Sequence, residues 1–441
     1  MNEKKIFSRK LLNIAIPIVL SNLISQVQMI IDKIFLGRLD ISCMSAVGNA
    51  SSPIWTTMSW MFSLALGSAI LVSQAIGAGD KDRAKLLTAS LFKFANIPSV
   101  ILFAVWMCFA RQIFSFMHVD ASIIDMSVSY AKYYAPVFLF IGLGTAITTL
   151  LQVSEMTGIM IVYGAVRSLL NIILDYILIF GNLGFPRMEV AGAALATTIA
   201  ELTGDFVILI YVLTSKKLWL RPSPRAVLKA KLSPYIESVK MGLPSACEDF
   251  AWNFGNLYFI SMLNYISMEA AGIYTIIFGL ELIPICVVTS LGNAVLTVSG
   301  QETGKRNPKG VGQVTGIALT WSFIIEAFVM VMFMLFPELI TSWFTTDASI
   351  IAASGTYLLI VGINLFPKST NITVGSGIKG FGDTRWMLGT QIFGTIFIVL
   401  SSTIIVRVLH RGIGTMFLLI VADETIRSFI NGWKLRKISK T

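Results

Sequence analysis

The sequence predicts an all-α integral membrane protein: twelve transmembrane helices in two six-helix lobes, related by a pseudo-two-fold axis along the membrane normal. Three observations predict it. Of 441 residues, 55% are hydrophobic and only 13% charged, more apolar surface than a soluble chain of this length can hide from water. Apolar stretches of about 20 residues, the length of helix that crosses the hydrocarbon, recur from end to end. The second half also repeats the first at a fixed offset. No segment alternates with the period of a strand, which argues against a β-barrel.

The spans follow in order. The first, 11–36, contains Pro17 and, near its far end, Asp32. Its apolar run is too long for a signal peptide and no small-residue cleavage site follows, so it reads as a retained first helix. The next three, 51–74, 91–112 and 133–153, carry no acidic residue. The fifth, 161–183, carries Asn171 and Asp175, and the sixth, 190–214, carries Thr197, Glu201 and Asp205. A basic, proline-containing segment, 215–240, reads as a cytoplasmic linker. The second set then runs 241–263 with Pro244, Glu248 and Asp249, 270–298 with Glu281, and 313–336 with Glu326. It closes with 351–374, 388–408, and 412–431 with Asp423 and Glu424.

Two lobes, 1–214 and 241–441, follow from the repeat. Pro17 lands on Pro244, 227 residues further on, and the same shift carries Ser63-Leu64 onto Ser290-Leu291. It carries Gln74 and Gly77 onto Gln301 and Gly304, Tyr130 onto Tyr357, and the run Asp120-Ala-Ser-Ile-Ile onto the run that opens at Asp347. Six helices per half is an even number, so both halves start on the same side and the repeat is parallel. Transporters are commonly built this way, with the substrate path between the halves.

Net charge is +10, and its distribution sets orientation. Arg38, Arg111, Lys132, Arg187, Arg407 and Arg411 fall on one side, while nearly all other Lys and Arg, including those from Lys216 to Lys240, fall on the other. The positive-inside rule then places both termini in the cytoplasm of a plasma-membrane protein. Topology and anionic lipid account for the basic charge, and no nucleic-acid partner is expected. Cys43, Cys108, Cys247 and Cys286 show no paired spacing, and His118 and His410 fall in outer loops. Zinc, haem and Ser-His chemistry therefore lack their parts, and no enzyme activity or cofactor is expected.

Function is concentrated in the acidic residues inside these spans. A carboxylate at a membrane helix centre costs about 2.5–3.5 kcal/mol on insertion scales, so such residues mark ion, proton or substrate sites. Asn171 and Asp175, four apart, share a helix face. At 1.5 Å per residue, Asp175 lies about 12 Å, Asp32 about 8 Å and Thr197 about 10 Å from the outer ends of their helices. Two carboxylates, an amide and a hydroxyl at one depth suit Na⁺, or a proton held between the acids. Basic residues inside the spans look few, so Glu248, Asp249 and Glu281 are candidates to receive a cationic substrate. Pro17 and Pro244 each remove a backbone hydrogen bond and favour a kink.

The chain resembles the multidrug and toxic compound extrusion (MATE) family across all twelve spans. IAIP (14–17), IDKIFLGRL (31–39), GSAILVSQAIGAGD (67–80) and NIILDYILIFGNLG (171–184) carry the resemblance. GAALATT (192–198), GLPSACED (242–249) and GQETGKRN (300–307) continue it. It implies an exporter of lipophilic, usually cationic compounds driven by inward H⁺ or Na⁺, working by alternating access as a monomer in the lipid. It also implies an N-lobe cation site at Asp32, Asn171, Asp175 and Thr197. The family's acidic residue of helix 7 lies further from the proline than Glu248 does, and Trp252 stands near that place here. A flippase for lipid-linked saccharides, which shares the superfamily, would need more positive charge in its cavity. An intramembrane enzyme would need His, Cys or a metal cluster at membrane depth.

Overall fold

The computed structural model describes residues 3–343, 345 and 348–440. Asp347, which opens the second copy of the repeated Asp-Ala-Ser-Ile-Ile run, lies outside the described residues. No strand occurs among the described residues. The helices are α1 (Glu3–Gly37), α2 (Ile41–Gly77), α3 (Lys81–Phe94), α4 (Asn96–Phe116), α5 (Ile124–Tyr134), α6 (Pro136–Val153), α7 (Ile159–Leu178) and α8 (Glu189–Thr214). They continue as α9 (Pro224–Lys229), α10 (Leu232–Ile266), α11 (Met268–Gly304), α12 (Pro308–Leu335), α13 (Pro337–Ser342), α14 (Ala348–Phe381), α15 (Thr384–Thr403) and α16 (Ile413–Lys440).

Ten helical stretches among the described residues are long and apolar enough to cross a membrane: α1, α2, α3 with α4, α6, α7, α8, α11, α12, α14 and α15. Two more, α10 with 35 residues and α16 with 28, have the length but carry clustered charge. Together they make the twelve spans. Pro17 and Pro244 sit inside continuous helices, α1 and α10, and Pro53, Pro284 and Pro367 do the same in α2, α11 and α14. Each proline leaves one helical carbonyl without its usual donor.

These helices bury their polar and small residues and turn their large apolar ones outward. In α7 the buried set is Met160, Gly164, Ser168, Asn171, Asp175 and Leu178, spaced three or four apart. Leu169, Ile173 and Tyr176 of the same helix are exposed. Helix α16 repeats the pattern, with Asp423, Glu424, Arg427 and Asn431 buried and Leu418, Phe429 and Trp433 exposed. Lipid tails are as apolar as leucine, so the polar face gains most from protein partners.

The chain packs as two compact units. One comprises Ile16–Val72 and Asp80–Leu243. Its core includes Trp106, Phe114 and Phe138, with Trp106 and Phe138 stacked at 6.3 Å between ring centres. The segment read as a linker is ordered within this unit. Ser223 caps α9 by accepting from the Ala226 backbone N–H. Lys93 Nζ of α3 donates to the carbonyls of Leu228 (2.7 Å) and Ala230 (3.0 Å), and Arg83 pairs with Glu237 at 2.5 Å. Helix α10 therefore begins at Leu232, earlier than the apolar run that marked it in the sequence.

The other unit comprises the chain up to Ala15, Ser73–Gly79, and the chain from Pro244 onward. Its core includes Phe259, Tyr274, Leu358, Leu365 and Phe417. The repeat is visible in its packing. A Cβ on Gly77 would stand 1.9 Å from the Gln301 carbonyl oxygen, and one on Gly304 would stand 2.0 Å from that of Gln74. Gln74-x-x-Gly77 and Gln301-x-x-Gly304 are repeat equivalents, so each glycine receives the other copy's glutamine. Such reciprocal contact is what a two-fold axis produces. Only glycine lets the α2 and α11 backbones come this close.

Candidate cation-binding site

Helices α1, α7 and α8 bring Asp32, Asn171, Asp175 and Thr197 together. The approach of α1 to α7 depends on Gly164, where a Cβ would stand 2.5 Å from Ser21 Oγ. Above that crossing, Asn171 and Asp175 are fully buried, and Asp32 and Thr197 are half-buried. The carboxyl groups of Asp32 and Asp175 lie within hydrogen-bonding reach of each other. No basic side chain pairs with either among the described residues. Lys33, next to Asp32 in sequence, is exposed, as expected for neighbours about 100° apart around a helix.

The Asn171 amide sits between the acid and the hydroxyl, and it can face either way. With its nitrogen toward Asp32 it donates to Oδ1 at 3.0 Å. With its oxygen on that side it accepts from Gln28 Nε2 at 2.6 Å. Its nitrogen then donates to Thr197 Oγ1 at 3.3 Å, and that hydroxyl donates to the Ala193 carbonyl at 2.9 Å. Gln28 completes the ring. It donates to Asp32 Oδ2 at 3.2 Å and accepts from Ser168 Oγ at 3.1 Å. Asp175 Oδ1 is buried with no hydrogen-bond partner. Two facing acids with no base, an orphaned carboxylate oxygen, an amide and a hydroxyl form an oxygen-rich pocket that fits a hard monovalent cation or a proton. Gln28 and Ser168 did not emerge from the sequence, although Gln28 stands one turn before Asp32 on the same face.

The family model of MatE matches residues 17–177 and 244–405. The chain belongs to the MatE family. The second matched segment starts 227 residues after the first, the offset of the internal repeat. A probable multidrug resistance protein NorM from Thermotoga maritima is 27% identical over 380 residues, covering 85% of this chain and 80% of that protein. A probable multidrug resistance protein YoeA from Bacillus subtilis is 24% identical over 382 residues, covering 86% and 82%. Among solved structures, a MATE transporter in an outward-facing conformation superposes with a TM-score of 0.91. It is 19% identical and covers 99% of this chain and 97% of that one. The likeness extends over nearly the whole of each chain. The protein is thus a multi-pass membrane protein with a MATE fold.

Several of the other acidic residues of this MATE chain are paired with basic side chains, although acids still outnumber bases within the spans. Glu201 pairs with Arg167 at 3.2 Å, Glu248 with Lys379 at 2.9 Å, and Glu281 with Lys368 at 3.0 Å. Arg427 pairs with Asp423 at 2.8 Å and Glu424 at 3.0 Å. Arg167 and Arg427 lie mid-helix in α7 and α16 and Lys379 near the end of α14, and all three long side chains reach the acids. Glu281 lines an open cavity in the unit from Pro244 onward; Glu248 and Asp249 are not among its walls. Glu326 is buried with an unpartnered oxygen, Asp205 accepts from the Tyr163 hydroxyl at 3.5 Å, and the Asp249 carbonyl accepts from Asn253. No cluster of three or more His, Cys, Asp or Glu suited to a metal ion occurs among the described residues.

Proposed function

We propose that the protein is a secondary active multidrug exporter that exchanges H⁺ or Na⁺ for lipophilic, mainly cationic compounds by alternating access. The observation that carries this reading is the Asp32–Asp175 pair, two acids facing each other with no basic partner, in a protein of the MATE fold. A proton or metal cation entering there relieves their repulsion. Asp32, Asp175 and Thr197 stand on α1, α7 and α8, so a change of charge there acts on the packing of all three helices. Helix α1 carries Pro17 between this site and its N-terminal end, where a missing hydrogen bond lowers the cost of bending. Relatives named as multidrug resistance proteins support export of small molecules. Their activity is transport, and we assign the same class here rather than catalysis.

The test is dye efflux from proteoliposomes with the pH and Na⁺ gradients imposed separately. One of the two gradients should drive efflux of a cationic dye. Efflux under neither gradient would overturn the reading. The flippase reading gains no support from Lys368, Lys379 or Arg427, because each is neutralised by an acid rather than left to hold a pyrophosphate.

We further place the protein in the plasma membrane as a monomer, with both termini and the 215–240 segment in the cytoplasm. Seven basic residues from Lys216 to Lys240 support this orientation. In a protein cleared of its four native cysteines, a cysteine at Arg225 should react with an impermeant maleimide only after the cells are opened. Labelling in intact cells would invert the topology.

A further inference from the structure

The cavity lined by Glu281 holds a cation of the protein's own. Lys368 Nζ lies 3.0 Å from Glu281 Oε1 and 5.7 Å from the centre of the Phe278 ring. Phe278 stacks on Tyr274 at 5.7 Å and tilts against Trp252 at 6.3 Å. All five side chains line the same cavity. A carboxylate on one side and aromatic faces on the other are the two elements by which proteins recognise an organic ammonium. Here the ammonium is a side chain, with only 12% of it exposed.

The two basic groups of the cavity are held very differently. Arg427 is clamped: Nε and Nη2 bond Asp423 at 3.0 and 2.8 Å, Nη2 also reaches Glu424, and Nη1 bonds Gln391 at 2.9 Å. Lys368 is held by one ion pair, on a flexible stem. The charges also leave room for one more cation. Glu281, Asp423 and Glu424 face only Lys368 and Arg427 across this cavity. Asp423 Oδ1 is buried without a hydrogen-bond partner, and so is the oxygen of Asn364, whose nitrogen reaches Glu281 at 3.4 Å.

We propose that the Glu281–Phe278–Tyr274 corner is a binding site for a monovalent organic cation, occupied at rest by the Lys368 ammonium, which an incoming cation displaces from Glu281. This rests on the exporter reading for its biological ligand, but the binding event stands by itself. Lys368 acts as a tethered competitor. It keeps Glu281 neutralised when no ligand is present, and it sets a threshold that a ligand must exceed in charge and aromatic contact. A small inorganic cation is tightly hydrated and gains little net from the aromatic faces, so the tether selects against it. No bond is made or broken: one ammonium leaves the carboxylate as another arrives.

The test uses the full-length purified protein and ethidium, a permanent aromatic cation, followed by fluorescence anisotropy. Lys368→Met removes the competitor and should tighten ethidium binding by about tenfold or more. Adding Glu281→Gln to that variant should abolish the gain. A folded Lys368→Met protein whose affinity is unchanged or weaker overturns the proposal, and gradient-driven efflux by the wild type would still uphold the exporter reading. Should Lys368→Met fail to fold, the wild type gives an independent readout. Saturating ethidium should raise the rate of reductive methylation at Lys368, measured by mass spectrometry, several-fold. A rate unmoved by ethidium overturns the proposal equally.

Discussion

Asp32→Asn and Asp175→Asn proteins should reach the membrane at wild-type levels and show no gradient-driven dye efflux above that of protein-free vesicles. The argument is steric and electrostatic together. Asparagine matches the shape of a protonated aspartic acid, so the α1–α7–α8 packing survives either change. What is lost is the ability to gain and lose a positive charge. In Asp32→Asn, position 32 stays neutral whether or not a cation is offered, so helix α1 should be fixed in one of its states. In Asp175→Asn, the orphaned oxygen that would complete a cation's shell is diminished to a neutral amide, and the repulsion that drives uptake disappears. Thr197→Ala should do less, because it removes one neutral ligand and leaves both acids. The check is efflux under an imposed ΔpH and an imposed ΔNa⁺, with surface expression measured alongside. An Asp32→Asn protein that keeps the wild-type rate and gradient dependence would sink this coupling mechanism.

Arg427→Met should cost about 3–5 kcal/mol of stability, the range for breaking a buried charge pair from one side. Asp423 and Glu424 both lean on this guanidinium, and the three side chains are 9% exposed or less. Without it, two adjacent carboxylates of α16 remain buried with no cation. Lysine is a poor substitute, because a point charge cannot serve Asp423, Glu424 and Gln391 at once as the planar fork does. The combined change Arg427→Met, Asp423→Asn and Glu424→Gln should recover most of the loss, since neutralising every member removes the uncompensated charge. Thermal unfolding of the detergent-solubilised proteins measures all three. A melting temperature for Arg427→Met equal to that of the wild type would show that α16 is held by packing alone.

The sequence made the first site legible because its signals are local. Asn171 and Asp175 are one helical turn apart, and the depth of Asp32 and Thr197 follows from counting residues along apolar runs. The twelve spans are legible for the same reason, and the repeat from Pro17 and Pro244 to Gly77 and Gly304 needs only an alignment of the chain with itself. What was not legible is pairing across helices. Lys368 meets Glu281, Lys379 meets Glu248, and Arg427 is fixed by Gln391 as much as by its own neighbours in α16. Each of those contacts depends on which helices are adjacent and how far a flexible side chain reaches. Counting charges by membrane side assigned Lys379 and Arg427 to a cytoplasmic rim, while their charged groups lie inside. Gln28 shows a different limit. It was on the right face at the right spacing, but a glutamine in an apolar run draws less notice than an acid.

If the proposed exchange runs through the bare Asp32–Asp175 pair, that pair is where membrane voltage acts most directly, while acids held in ion pairs such as Glu281–Lys368 respond little. A buried ion pair that stays paired carries no net charge through the field. A proton or Na⁺ that enters at Asp32 and Asp175 from one face and leaves by the other does, and each such charge is driven by about 2.3 kcal/mol per 100 mV. When the exported compound is itself a monovalent cation moving the opposite way, the two displacements cancel and only concentration gradients remain. When the compound is neutral, the full electrical term applies. The same protein would then be indifferent to membrane potential with one class of compound and current-carrying with another, and the ledger of charge would be kept by two aspartates on helices α1 and α7.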